Sequence, residues 1–189
     1  HLLGGLSPKG VPKNLKDTVY PFNYNNFEEL LSIVDTNEIG VIKMEVVRNF
    51  GPEDSFLHKV RKLATDRNIV LIFDECTSGF RATFGGIYQK YGVEPDMAMY
   101  GKTIGNGYAL TAVVGKKEVM EAAQNTFISS TFWTERIGPT AALATLKVME
   151  EVKSWEIITA IGNKMRQGWQ QLADEHDLSI TISGIPSLS

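Results

Sequence analysis

The chain has 189 residues, of which 43% are hydrophobic, 10% aromatic and 22% charged, with 17 Gly, 7 Pro and one Cys; this is the balance of an ordinary globular chain, and it excludes collagen-like, low-complexity and disulfide-stapled classes. Nineteen Lys plus Arg against 22 Asp plus Glu give a formal charge of -3, so no basic field spans the chain, and neither nucleic acid nor a membrane is expected as a partner. The longest apolar run, residues 69–73, falls far short of the roughly 20 residues a membrane helix needs, and the single Cys76 cannot close an internal disulfide, which fits a reducing compartment and predicts a cytoplasmic location. The turn-rich opening from Gly4 to Pro12 has nothing before it to connect, and the chain stops at Ser189 straight after a strand-like run. Both ends predict a fragment of a longer protein.

Along the chain, Asn25 or Asn26 is placed to cap a helix whose apolar residues Phe27, Leu30, Leu31 and Val34 recur at helical spacing, with Glu28 and Glu29 in the first turn. Residues 40–47 are β-branched and nearly continuously apolar, the pattern of a strand covered on both faces. Residues 52–68 predict a helix with Phe56, Leu57, Val60, Leu63 and Ala64 on one face. A second buried strand over 69–73 ends abruptly at Asp74-Glu75. Short strands over 97–100 and 111–114 follow, then a helix over 116–124 and a long helical region over 140–174 that breaks near Lys153 and Ser154. Residues 179–183 alternate like a strand. Alternating strands and helices with buried β-branched strands predict an α/β fold, three-layered α/β/α, on a mainly parallel sheet.

In such sheets chemistry gathers at the carboxyl ends of the strands, which selects Glu45 after the first strand, Asp74 after the second and Gly101-Lys102 after the third. Taken singly, Asp74 reads equally as a capping or salt-bridged aspartate, and Lys102 as a surface lysine. Together, a carboxylate and an amine at the ends of neighbouring strands are what pyridoxal phosphate chemistry requires: an amine for the Schiff base and an anion to keep the pyridine nitrogen protonated. A structural salt bridge is the alternative. Two nucleotide motifs fail. Gly101-Lys102-Thr103 ends like a phosphate-binding loop but has Asp96 where that motif needs glycine, and Gly105-Asn106-Gly107 has Leu110 where a dinucleotide fingerprint needs its third glycine. Cys76, beside Glu75 and with no histidine near in sequence, reads as a buried small hydrophobe. His1, His58 and His176 show no ligand spacing, so no metal is expected.

These residues carry a resemblance. Leu71-Ile72-Phe73-Asp74-Glu75 through Ser78-Gly79-Phe80-Arg81, then Tyr91-Gly92-Val93-Glu94-Pro95-Asp96, then Gly101-Lys102-Thr103-Ile104-Gly105-Asn106-Gly107-Tyr108 resemble the central signature of class III aminotransferases, and among them the glutamate-1-semialdehyde aminomutase group. Gly10-Val11-Pro12, Asn23-Tyr24-Asn25 and Phe84-Gly85-Gly86 extend the likeness in register, so that it runs from about Gly10 to Leu146. It implies a fold type I pyridoxal phosphate enzyme, a homodimer with active sites at the subunit boundary, acting on a small-molecule amine donor and a carbonyl acceptor. By position, Lys102 corresponds to the Schiff-base lysine and Asp74 to the partner of the pyridine nitrogen, while Thr131 matches the threonine that reaches the cofactor phosphate of the neighbouring subunit. Read without the resemblance, Thr131 is equally a helix-entry cap.

The departures are specific. Thr77 stands where many relatives carry Gln facing the cofactor's phenolic oxygen. Val46 replaces the Pro that usually follows Glu45; Glu45 and Asn49 are candidates to face the substrate, with a solvated charge and a loop turn as the alternatives. Trp133-Thr134-Glu135-Arg136 replaces Gly-Gly-Asn-Pro and is expected to reshape the substrate mouth. The resemblance assigns residues 1–175 to the large cofactor-binding domain and 176–189 to the start of a small C-terminal domain. It also places the phosphate cup and the ring-stacking aromatic upstream of His1, and the substrate-carboxylate arginine beyond Ser189. The expected function is amino-group transfer to or within a carbonyl substrate, as an aminotransferase or aminomutase. A racemase on the same scaffold and a non-catalytic α/β binding module are the alternatives.

Overall fold

A computed structural model describes residues 9–129 and 131–189. His1 and the first part of the turn-rich opening lie outside the described residues. The first helix, α1 (Phe27–Thr36), begins where expected: the Asn26 side chain accepts a hydrogen bond from the Glu29 N–H at 3.1 Å, and Glu28 and Glu29 lie in the electropositive first turn. Helix α2 (Phe56–Asp66) starts four residues later than the apolar pattern predicts, because Asp54 and Ser55 take left-handed φ values of 46° and 58° that no helix accommodates.

Four strands form one sheet in the order β1 (Val41–Glu45), β2 (Val70–Asp74), β3 (Met97–Tyr100) and β4 (Ala112–Gly115). The first three run parallel and β4 is antiparallel to β3, giving the mixed but mainly parallel sheet of an α/β fold. Residues alternate across the strands. Ile42, Met44, Leu71 and Phe73 point into a core shared with Leu30 and Val34 of α1 and with Phe56, Leu57, Val60 and Leu63 of α2. Ala98 and Tyr100 pack beside it against Ala142 of helix α4 (Ile137–Val152). The opposite face differs from the expected two-sided cover: among the described residues Val41 is 52% exposed and the Lys43 side chain 50%. The polar residues Lys43 and Glu45 alternate onto that face, where the apolar residues of the run read as a strand enclosed on both sides.

After β4, a single α-helical turn, α3 (Lys117–Met120), continues as a 3-10 helix over Glu121–Asn125. Helix α4 ends at Lys153, which adopts φ 51°, and α5 (Ser154–Glu175) restarts at once, so the break falls where the sequence places it. The strand expected over 179–183 is absent: this segment is irregular and joins no strand among the described residues. Alternation alone does not make a strand when the backbone has no ladder partner. The chain instead returns to α5, where the 3-10 turn Pro186–Leu188 approaches so closely that a Cβ on Gly162 would fall 1.8 Å from the Pro186 carbonyl oxygen. Ile185 is buried in the main core.

Candidate active site

Parallel pairing brings the site residues to one edge. Glu45 is in register with Asp74, and Asp74 with Met99, so the ends of β1, β2 and β3 open side by side. Asp74 is the last residue of β2 and its carboxylate is held twice: Oδ1 accepts from the Cys76 N–H at 3.1 Å, and Oδ2 pairs with Lys43 Nζ at 2.6 Å. Partial burial works against the anion, but the hydrogen bonds from Lys43 and Cys76 and the charges of Lys43 and Lys102 outweigh it and keep the carboxyl below its ordinary range.

Lys102 lies two residues past β3 and takes a left-handed backbone with φ 46°. A long side chain in that region is strained, and such strain is found where surrounding structure imposes a geometry. Its Nζ donates to Thr77 Oγ1 at 2.7 Å. The turns carrying Asp74 and Lys102 touch directly, since a Cβ on Gly101 would lie 2.5 Å from Cys76 Sγ. That contact is where Cys76 packs. Gly79, in the turn after β2, is required for the same closeness: a Cβ there would meet the Glu75 carbonyl oxygen at 2.7 Å and Tyr100 Cδ1 at 2.8 Å.

Glu75, next to Asp74, points the other way and is fully buried. Its carboxylate accepts from Ser78 Oγ at 2.6 Å and from the Tyr88 N–H at 3.3 Å, tying the turn after β2 to the segment that follows it. Burial raises its pKa, partly offset by those hydrogen bonds and reinforced by the Asp74 charge. This buried acid is a structural clamp on the loop that presents Thr77.

The structure thus brings together Asp74, Lys102 and Thr77. Glu45 stands beside Asp74 and interacts with Arg48 Nη1 at 3.4 Å. Asn49 is exposed and, with Arg48 and Thr77, forms one wall of an open cavity of about 880 Å³ whose other wall includes Trp169 and His176 of the α5 end. Asp74 and Lys102 do not line this cavity; Thr77 joins it to them. Thr131 is exposed in the turn before α4. Glu135 turns back to accept from the backbone N–H groups of Ile137 and, at 3.2 Å, Gly138 at the start of α4. Trp133 beside it is 70% exposed.

Sequence reasoning missed Lys43. The available signal was its position two residues before Glu45 in an otherwise apolar strand, which puts both side chains on one face. Among the described residues no group of three His, Cys, Asp or Glu is arranged to hold a metal ion, and no helix is long and apolar enough to cross a membrane.

Comparison with known proteins adds a family. Residues 27–186 match the aminotransferase class-III family model. The chain is 34% identical over 186 residues to a 3-aminobutyryl-CoA aminotransferase of Cloacimonas acidaminovorans, covering 94% of this chain and 45% of the relative. It is 36% identical over 189 residues to a glutamate-1-semialdehyde 2,1-aminomutase of Methanobrevibacter smithii, covering 95% and 44%. The chain therefore spans a little under half the length of these curated relatives. Among solved structures, an omega-transaminase from Sphaerobacter thermophilus superimposes with a TM-score of 0.79 at 25% identity, over 93% of this chain and 43% of that one. The fold of the Sphingopyxis FumI protein, solved in its PLP internal aldimine form, agrees with a TM-score of 0.84 at 24% identity over 89% and 42%.

Proposed function

The chain belongs to the class III aminotransferase family, and from that premise we propose that the protein is an enzyme that uses pyridoxal phosphate to move an amino group to or within a small carbonyl substrate. The observation that carries this reading is the convergence of Lys102, Asp74 and Thr77 at the carboxyl edge of β2 and β3. The donor set fits the cofactor: an amine for its aldehyde, an ionised carboxylate for its ring nitrogen, and a hydroxyl for its phenolic oxygen. When bound, pyridoxal phosphate supplies an electron-withdrawing ring that stabilises negative charge on the adjoining substrate carbon.

The chain's own residues provide the rest. Lys102 Nζ would hold the cofactor through its aldehyde and, as a neutral amine, would take and return the substrate proton. Thr77 Oγ1 aims that nitrogen by accepting from it, and its own O–H remains free to donate outward. Asp74 uses only part of its acceptor capacity on Lys43 and Cys76, since a carboxylate offers about four lone-pair positions. A protonated ring nitrogen has room to join them.

The exposed hydroxyl of Thr131 suits donation to a cofactor phosphate across a homodimer boundary. Asn49, lining the cavity beside Thr77, and Glu45, next to Asp74 and paired with Arg48 of the same cavity, are the candidates to face an amine donor and a carbonyl acceptor. Residues 180–185 line the same cavity, with Ile185 buried in the main core.

Borohydride reduction of the full-length protein after incubation with pyridoxal phosphate, followed by peptide mass spectrometry, tests the assignment. The reduced pyridoxyl adduct is expected on the peptide containing Lys102 and should vanish in Lys102→Ala. An adduct confined to other lysines, or none, would overturn it.

A further inference from the structure

Lys43 is a half-exposed cation in the middle of β1, sharing the open face of the sheet with Glu45, and its amine is spent on Asp74, the carboxylate that ends β2. Its geometry follows from register. Lys43 pairs with Ile72 and Glu45 with Asp74, so Lys43 lies one pleat below Asp74 on the same open face, and its four-carbon stem runs along the strand to reach Oδ2 at 2.6 Å. Asp74 does not need Lys43 for its shape, because the Cys76 N–H already fixes Oδ1.

We propose that Lys43 is a positioning residue for the proton on the cofactor's ring nitrogen: by sharing the Asp74 carboxylate, it loosens that carboxylate's grip on the ring N–H. This rests on the reading that pyridoxal phosphate binds here. A carboxylate attracts a second cation less strongly when a first is already 2.6 Å away, and the two positive charges repel each other. The charged groups facing Asp74 are Lys43 from β1 and Lys102 from the turn after β3. Glu45, balanced by Arg48, lies across the strand, and Glu75 is adjacent but turned into the core. Lys43, hydrogen-bonded to Oδ2, is therefore the cation that competes most directly with the ring for Asp74. The consequence is a ring whose electron-withdrawing power is set partly by Lys43, which bears on whether amino-group transfer or simple proton exchange at the substrate carbon dominates.

The test uses full-length protein loaded with pyridoxal phosphate labelled with ¹⁵N in the ring, with the nitrogen resonance followed against pH. In Lys43→Met the nitrogen is expected to keep its proton to higher pH, the midpoint rising by about one pH unit, which is tenfold in proton affinity. Lys43→Gln, which keeps a hydrogen-bond donor without the charge, should move it the same way, and Lys43→Arg should leave it near the parent value. Identical midpoints in the parent, Met and Gln proteins would overturn the proposal while leaving the cofactor assignment intact. Failure of the parent protein to form the borohydride adduct on Lys102 would overturn both.

Discussion

Two aspartates bracket the same sheet in contrasting surroundings. Asp96, just ahead of β3, is held three times: Oδ2 accepts from Arg61 Nη1 and from the Leu71 N–H, each at 2.8 Å, and Oδ1 from Lys116 Nζ at 2.7 Å. It staples α2, the start of β2 and the chain after β4 together at the amino edge of the strands. Asp74, at the carboxyl edge, has two partners, and its side chain is 21% exposed. Both carboxyls are held below their ordinary range against the effect of partial burial, so electrostatic perturbation by itself does not separate a structural acid from a functional one. The two differ in remaining acceptor capacity and in the edge of the sheet on which each acid stands.

Exchanging carboxylate for amide at each position breaks the comparison most directly. Asp74→Asn should lower kcat/KM of the full-length enzyme by roughly a hundredfold with little change in the urea midpoint, as steady-state rates and unfolding curves would show. Asp96→Asn should do the reverse, costing about 3 kcal/mol of stability through two cations left without their anion, with the turnover of the folded fraction close to the parent. Asp96 also predicts an acid limb. Because its folded pKa is depressed, the stability it contributes is complete above about pH 4, near the unfolded value, and is lost as pH falls through the lower folded one. Urea unfolding between pH 5 and 3 should show a shallower decline in Asp96→Asn than in the parent. The smallest effect is expected at Gly79→Ala: the added methyl must displace the Glu75 carbonyl or the Tyr100 ring, and the cost should be about 2 kcal/mol, read from the same unfolding curves.

The asymmetry between the two edges was partly legible from sequence. Asp74 and Lys102 stand out because each follows a short apolar run, and the rule for parallel sheets picks such positions before any coordinates are seen. The break at Lys153 and the cap at Asn26 are likewise local events written in neighbouring residues. The partners of Asp96 and the Lys43 contact are not local. They depend on which residues of β1, β2 and β3 lie opposite one another, and register is settled by packing across the sheet. The late start of α2 was hidden for a different reason, since two successive left-handed residues at Asp54 and Ser55 leave the apolar periodicity downstream unchanged. At residues 179–183 alternation was present but no neighbouring backbone was there to accept it.

The left-handed backbone at Lys102 sets the conformational cost of keeping an amine at this point. Only glycine visits that region freely, and a side chain there costs on the order of 1 kcal/mol, so the thermodynamically preferred residue at position 102 is one with no side chain at all. A lineage drifting toward robustness alone would favour glycine here and keep a sturdier fold without an amine at this edge.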